Sequence, residues 1–576
     1  MRKRNANGLT ATVLLLALVV GACTSEETGG SPRTRPGQSD RSASSNTSNP
    51  SVERVTKPIG NWFESSCALP IDLLRRQRAG INQSRSPELT VVPREPNFYG
   101  GFAAYTHSGP WDYVQDVPVV LYGPGFTKPQ GEVRLDRRAT LADLAPTLAE
   151  LLGIELPPGR TGKALSEALL PPEQRNGRPR LIVQIVWDGG GWNVLNEWPD
   201  AWPRLERAMG QGTSIAGVEV GSSPSVTPAV HATIGTGSLP KKHGIVDIVL
   251  RIGESMGRAY QNTTTDVLDL TTVADIYDPQ VGNAARIGLF SFKNWHLGLI
   301  GHGSALSGGD KDIAAISQLS GLSIATNEDA FELPDYVNDI PGLERYIRET
   351  DISDGQADGL WMGHDVLDDP SEARGTPAWT RYQTDIMKTI LGNEGFGRDN
   401  ITDLFFINFK QIDDVGHNYN MSEPETREIL SVTDAALANT IRWLNRNVGR
   451  NKWVIMLTAD HGQAPQPLAS GAWPIHHSTI YEGIAKEFGV EAEALIEDRR
   501  PGAYWIDEVV LENADLTLRD LANFFIDHRL RDNASSEDEI PDLYEQRLDE
   551  PIFAAAWPTA ETERVWDCAK RRQRGD

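Results

Sequence analysis

A chain of 576 residues can hold one large domain or several ordinary ones, and a hydrophobic fraction of 39% with 15 Trp is enough for a substantial core. Against 55 Lys and Arg stand 79 Asp and Glu, a formal net charge of −24, which argues against nucleic acid as a bulk electrostatic partner. An anionic substrate would have to be met by local cations, a first pointer to metal ions.

The N-terminus carries an address. Arg2, Lys3 and Arg4 precede an apolar stretch, 9–20, too short to span a bilayer as a permanent helix. It ends in Val20-Gly21-Ala22-Cys23, which resembles a bacterial lipobox. The resemblance implies a signal peptide, 1–22, cleaved before Cys23, and a lipid on the Cys23 thiol. An ordinary secretory signal with an incidental Cys is the alternative. Residues 23–56 are rich in Ser, Thr, Gly, Pro and charge, with almost no large apolar residue, and read as a disordered tether. The expected location is extracytoplasmic, with the chain anchored to the membrane by its lipid. Apart from Cys23 there are only Cys67 and Cys568, for which either a disulfide or two free thiols can be argued.

The folded part is expected over 57–576. Its first segment holds Tyr105-Thr106-His107-Ser108-Gly109-Pro110, then a strand at 117–122 closed by Gly123-Pro124-Gly125. Residues 140–152 form an amphipathic helix with Leu141, Leu144, Leu148 and Leu151 on one face. The run 181–187 is almost wholly apolar and suits a strand buried on both faces. It ends in Asp188 and three glycines, which let the backbone turn sharply beside whatever the carboxylate holds. An Asp in that position is either a ligand at the carboxyl end of a central strand or a helix cap.

A helix at 203–209 and a strand at 214–220 follow. Thr227-Pro228 then places Thr227 at a helix N-terminus, as a functional hydroxyl or as a plain N-cap. After a strand at 284–290, the pattern loosens over about 296–380 into Gly-rich turns, expected as a cap insertion over the sheet ends. The strand 402–409 leads into Lys410-Gln411-Ile412-Asp413-Asp414-Val415-Gly416-His417. A long helix with a stripe of Leu430, Leu437, Ile441, Leu444 and Val448 precedes the strand 452–459, which ends in Asp460-His461-Gly462. Strands and helices alternate throughout, which predicts an α/β fold: a doubly wound, mostly parallel sheet with helices on both faces.

Three strand ends thus carry Asp or Asp/His. These are ligand types for zinc-like ions, and Asp-x-x-x-His lets two ligands curl round one ion. Two such ions can clamp the attacking and leaving oxygens of a phosphoryl transfer. A Thr at a helix N-terminus beside a cation can attack phosphorus.

Together these motifs resemble the alkaline phosphatase superfamily, most closely its type I phosphodiesterase and nucleotide pyrophosphatase branch. The resemblance rests on Asp188-Gly189-Gly190, Thr227 through His231 with Thr233 and Thr236-Gly237, His243-Gly244-Ile245, Asp413-x-x-x-His417 and Asp460-His461-Gly462. It implies an extracytoplasmic hydrolase of phosphate esters, of phosphodiester or nucleotide type, with Thr227 as nucleophile and two divalent ions, zinc above all. One ion falls to Asp188, Thr227, Asp460 and His461, the other to Asp413, His417 and a further histidine. The family supplies that histidine after the Asp-His-Gly motif, but the matching segment here is His107-Ser108-Gly109-Pro110 with Asp116-Val117-Pro118 and Gly123-Pro124-Gly125, ahead of the rest. The implied fold is circularly permuted, with 57–170 as the usual terminal segment placed first and His107 as the ligand. His476 and His477 are the fallback ligands. Cys67 and Cys568 flank the new break, and a disulfide between them is expected. His231 and His243 match family positions and are expected to support structure; Lys410 and Asn294 are weighed as phosphate contacts against solvated or capping roles. Pro228 stands where the family commonly has Phe, which bears on nucleotide stacking. A phosphomonoesterase of the same superfamily is the alternative, and a non-catalytic lipid-anchored binding protein is the alternative of another class. The expected partners are a small phosphate-ester substrate and, through the lipid, the membrane.

Overall fold

The structure is a computed structural model that describes residues 61–100, 105–107, 109–317, 322–534 and 540–574. The expected signal peptide, Cys23 and the tether lie outside them. No helix among the described residues is long and apolar enough to cross a membrane.

The apolar runs read from the sequence become neighbouring strands of one ten-stranded sheet. Its centre is Leu181–Trp187, flanked by Asp403–Phe409 and Trp453–Thr458, both parallel to it. Ile287–Ser291 and Asp312–Ser317 continue the parallel set on one side. Alternation splits the central strand between two cores. Leu181, Val183, Ile185 and Trp187 pack with helices Pro377–Asn393 and Pro424–Leu444, whereas Ile182 and Val186 pack with Leu144–Leu152 and Thr227–Thr236. A strand covered on both faces has no solvent side, so it reads as a continuous apolar run.

Asp116–Tyr122 lies next to Trp453–Thr458 and runs antiparallel to it and to Thr213–Glu219. This direction matters for the site. The chain enters an antiparallel strand at the sheet end where its parallel neighbours finish, so residues just before 116 share that end with Asp188 and Asp460.

A second, four-stranded sheet joins both ends of the chain in the order Ile496–Arg500, Ala503–Ile506, Leu89–Pro93 and Phe553–Pro558. It has its own core, including Leu74, Val91, Trp473, Phe525 and Trp557. On it, helices Trp62–Cys67 and Thr562–Arg574 are joined by the Cys67–Cys568 disulfide, with Cα atoms 5.6 Å apart.

The 296–380 stretch, expected to form a cap, differs in part. Asp312–Ser317 is a parallel strand of the main sheet, and Ile324–Ala325 and Phe331–Glu332 pair with it. The strand is only six residues long and sits between turn-rich segments, so its apolar run is too short to stand out by periodicity. The rest contributes the amphipathic helix Leu343–Asp351 and turns.

Candidate active site

Asp188 follows the central strand directly, and its N–H donates to the Phe409 carbonyl at 3.0 Å. It caps no helix: the next one, Trp192–Glu197, has Gly191 as its N-cap. Gly189 adopts φ +72°, and a Cβ there would stand 2.9 Å from the Asp413 Cα, so glycine is what lets the two carboxylate-bearing turns approach. The Gly189 N–H donates to Asp460 Oδ1 at 3.0 Å.

Thr227 is the first residue of the helix Thr227–Thr236; Val226 is the N-cap, and no side chain caps the helix. The Thr227 hydroxyl therefore has no capping duty. It lies 3.4 Å from the Lys410 ammonium.

The candidate metal ligands lie near one another, though the second grouping carries Asp413 where Asp460 was expected. His107 Nε2 lies 3.4 Å from Asp413 Oδ1, and His417 Nε2 lies 3.3 Å from Asp413 Oδ2. His461 Nε2 lies 3.5 Å from Asp460 Oδ2 and 3.7 Å from Asp188 Oδ1. His107, Asp413 and His417 can share one ion, and Asp188, Asp413 and His461 offer a second grouping. The His107 ring stacks on His461 with centroids 3.4 Å apart.

The tautomers are set by main-chain acceptors. His107 Nδ1 meets the Ser225 carbonyl at 2.9 Å, His461 Nδ1 meets the Gly462 carbonyl at 2.9 Å, and His417 Nδ1 meets the Tyr105 carbonyl. A carbonyl only accepts, so each Nδ1 carries a hydrogen and each neutral ring presents its Nε2 lone pair to the carboxylates; against burial, Asp413 raises the His417 pKa. Asp460 Oδ2 and His461 Nε2 are buried with no hydrogen-bond partner among the described residues. Acceptors facing acceptors in a buried pocket fit a cation, so the donor set passes the test for metal binding.

Lys410 is buried between the carboxylates, not solvated. Its ammonium donates to Asp188 Oδ1 at 2.9 Å and to Asp413 Oδ2. Burial opposes its charge, but Asp188 and Asp413 outweigh burial and hold its pKa well above the ordinary lysine value. For Asp188 and Asp413 burial likewise pushes up, yet Lys410, with His417 at Asp413, brings both down. Burial and the Asp188 charge push Asp460 well up. Burial, then His461, depresses His107 well below the ordinary histidine value.

Behind the site, two groups absent from the predicted set hold Asp188. Asn408 donates to Asp188 Oδ2 at 2.9 Å, and His296 Nε2 lies 3.4 Å from the same oxygen. An Asn within an apolar run was the available signal for the first; nothing local marked the second. His231 joins the same layer, with Nε2 3.2 Å from the Asn408 amide. His243 bonds Thr233 at 3.0 Å and the Ile245 N–H at 3.1 Å, a structural role. Asn294 donates to the Tyr260 carbonyl at 2.8 Å. His477 stacks on Tyr99 with centroids 4.9 Å apart, and neither His476 nor His477 joins a metal grouping among the described residues. His107 does. Beside it opens a cavity lined by Phe98, Tyr99, Thr106, His107 and Trp111.

A family model described as type I phosphodiesterase / nucleotide pyrophosphatase matches residues 182–487. Alkaline phosphatase PafA of Elizabethkingia meningoseptica is 24% identical over 462 residues, covering 70% of this chain and 81% of that protein. Alkaline phosphatase PhoV of Synechococcus elongatus is 22% identical over 345 residues, covering 51% of this chain and 61% of that protein. A crystal structure of wild-type alkaline phosphatase PafA aligns with a TM-score of 0.49 at 17% identity, over 66% of this chain and 84% of that one.

Proposed function

Because this chain belongs to the type I phosphodiesterase / nucleotide pyrophosphatase family of the alkaline phosphatase superfamily, and is a hydrolase of phosphoric ester bonds, we propose that it cleaves phosphodiesters of nucleotide type with Thr227 as nucleophile. The observation that carries the reading is the convergence of Asp188, Thr227, Asp413, His417, Asp460, His461 and His107 at one sheet end.

Two divalent ions, zinc by ligand type, would be held by Asp188, Thr227, Asp460 and His461 and by Asp413, His417 and His107; when bound they supply Lewis-acid polarisation of the phosphoryl oxygens. The Thr227 hydroxyl loses its proton as its oxygen forms a bond to phosphorus, and the ester oxygen leaves with its electron pair and takes up a proton. Lys410, 3.4 Å from Thr227 Oγ1, stabilises negative charge on that oxygen. The positive end of the Thr227–Thr236 helix favours the phosphoryl group. A water then attacks phosphorus, the Thr227 oxygen departs and regains a proton, and the phosphate product leaves. The aromatic cavity beside His107 offers apolar room for an ester substituent.

The second reading is a phosphomonoesterase. Lys293 and Lys410 both act on Asp414, beside Asp413, and Arg374 feels the same carboxylate. The names of the two relatives, both alkaline phosphatases, favour this reading. Hydrolysis of a bis-aryl phosphate against a mono-aryl phosphate, with Zn²⁺ added, separates the two. Thr227→Ala should abolish turnover of either while metal content is kept; unchanged turnover would remove Thr227 as nucleophile.

Two further parts of the reading concern chain order and place. We take the order as circularly permuted, supported by the family match beginning at residue 182 while His107 precedes it. A chain in which 574 is joined to 61 and the break is moved to about 177 should fold and turn over substrate; an unfolded product counts against permutation. We also place the enzyme outside the cytoplasmic membrane on a lipid at Cys23, so Cys23→Ser should move it from the membrane fraction to the soluble fraction.

A further inference from the structure

At the end of the sheet opposite the active site, three carboxylates meet. Asp312 opens the strand Asp312–Ser317, Asp310 lies in the turn before it, and Asp278 sits in the last turn of the helix Val273–Gln280. One oxygen from each lies within 4.8 Å of the others. Asp278 and Asp312 are 4% and 8% exposed, while Asp310 is open to solvent.

Among the described residues, no cation is paired with the cluster. The groups that weigh most on Asp312 besides burial are all acidic: Asp278, Asp275, Asp310 and Glu332. Asp278 Oδ1 is buried and has no hydrogen-bond partner among the described residues. Lys311 donates to the Glu328 carbonyl, and His302 is held by Asp275 at 2.9 Å. The loop is nevertheless fixed in place. The Asn283 N–H donates to the Asp278 carbonyl at 2.9 Å, and its side-chain amide donates to the Gly308 carbonyl at 3.1 Å. The Asn283 amide oxygen, too, is buried without a partner.

We propose that Asp278, Asp310 and Asp312 form a calcium site, separate from the catalytic centre. Carboxylates only accept hydrogen bonds, so two buried ones facing a third need protons or a cation between them. The donor set is all oxygen, with neither His nor Cys, which selects a hard cation over zinc. Calcium takes six to eight oxygens in irregular geometry, and the exposed Asp310 side leaves room for waters to complete the shell. Magnesium demands a near-ideal octahedron, which a helix end and a strand start of fixed spacing do not supply. Burial, reinforced by Asp310, lifts the Asp278 carboxyl to about 7, as expected of acidic groups crowded without a counter-charge.

The experiment is calorimetric titration of CaCl₂ into the folded, zinc-loaded enzyme after removal of free calcium. One equivalent should bind with a Kd of about 10⁻⁵ to 10⁻⁴ M. Asp312→Asn should weaken binding at least tenfold. Asp310→Asn, at an exposed position that folding tolerates, should do the same, with aryl phosphate hydrolysis unchanged in both. Three results would each overturn the site: no calcium bound up to 10 mM, equal affinity in the wild type and Asp310→Asn, or magnesium bound more tightly than calcium.

Discussion

Replacing Lys410 with Met removes the ammonium that stands between Asp188 and Asp413 and keeps most of the side-chain volume. Lys410 is 2% exposed, so water does not replace it. At 2.9 Å from Asp188 Oδ1 the pair attraction is about 6 kcal/mol at an effective dielectric constant near 20, offset in part by the cost of burying the ammonium. Removing one member of a buried pair leaves the other uncompensated, and the net loss expected in metal-free protein is about 3–5 kcal/mol. The Lys410 pKa is held above its ordinary value, so its contribution is fully present at pH 7 to 8 and fades only at strongly alkaline pH. Bound divalent ions would neutralise the same carboxylates, and the loss should then shrink to about 1 kcal/mol. Urea unfolding of wild type and Lys410→Met, in chelator and with Zn²⁺, measures both numbers. An equal loss in the two conditions would show that Lys410 and the metals do not share these carboxylates. In the loaded enzyme kcat should fall by about 10² to 10³, the usual effect of removing one preorganised charge or donor beside the reacting oxygen.

His107→Ala should cost one of two bound zinc ions by elemental analysis, whereas His476→Ala and His477→Ala should keep both; the opposite result would move the ligand to the fallback pair. Cys67 and Cys568 are 501 residues apart, and disulfides contribute up to about 5 kcal/mol, so Cys568→Ser should lower Tm. Finding both thiols free in non-reduced peptides would exclude the bond. Asp403 is fully buried, and burial lifts its carboxyl to about 6 even though the Arg286 and Gly397 N–H groups donate to it at 2.7 and 2.6 Å. The folded state therefore holds this proton to higher pH than the unfolded state does, and stability falls by up to about 3 kcal/mol between pH 4 and 6. Asp403→Asn should remove that part of the slope; identical pH profiles would refute the assignment.

How far the site could be read in advance follows from the range over which each signal acts. Asp188, Asp413, Asp460 and His461 were legible because each follows an apolar run that is a central strand of the sheet, and the carboxyl ends of such strands share one side. His107 was legible only through the family resemblance. Its own neighbourhood indicates a strand at 117–122 but not that strand's direction, and it is the antiparallel run beside Trp453–Thr458 that brings residue 107 to the site. Lys410 was underweighted because a lysine after a strand is ordinarily solvated; its partner Asp188 is 222 residues away and leaves no local trace. His296 falls in the stretch expected to form a cap and lies on a short 3-10 helix without helical periodicity. The second sheet was missed for the same reason on a larger scale, since Leu89–Pro93 pairs with Phe553–Pro558 from the other end of the chain. Motifs that turn within a few residues carry their own evidence in the sequence. The charge balance of the site depends on contacts formed only when distant segments meet, so Lys410, Asn408 and His296, which decide it, leave little local trace.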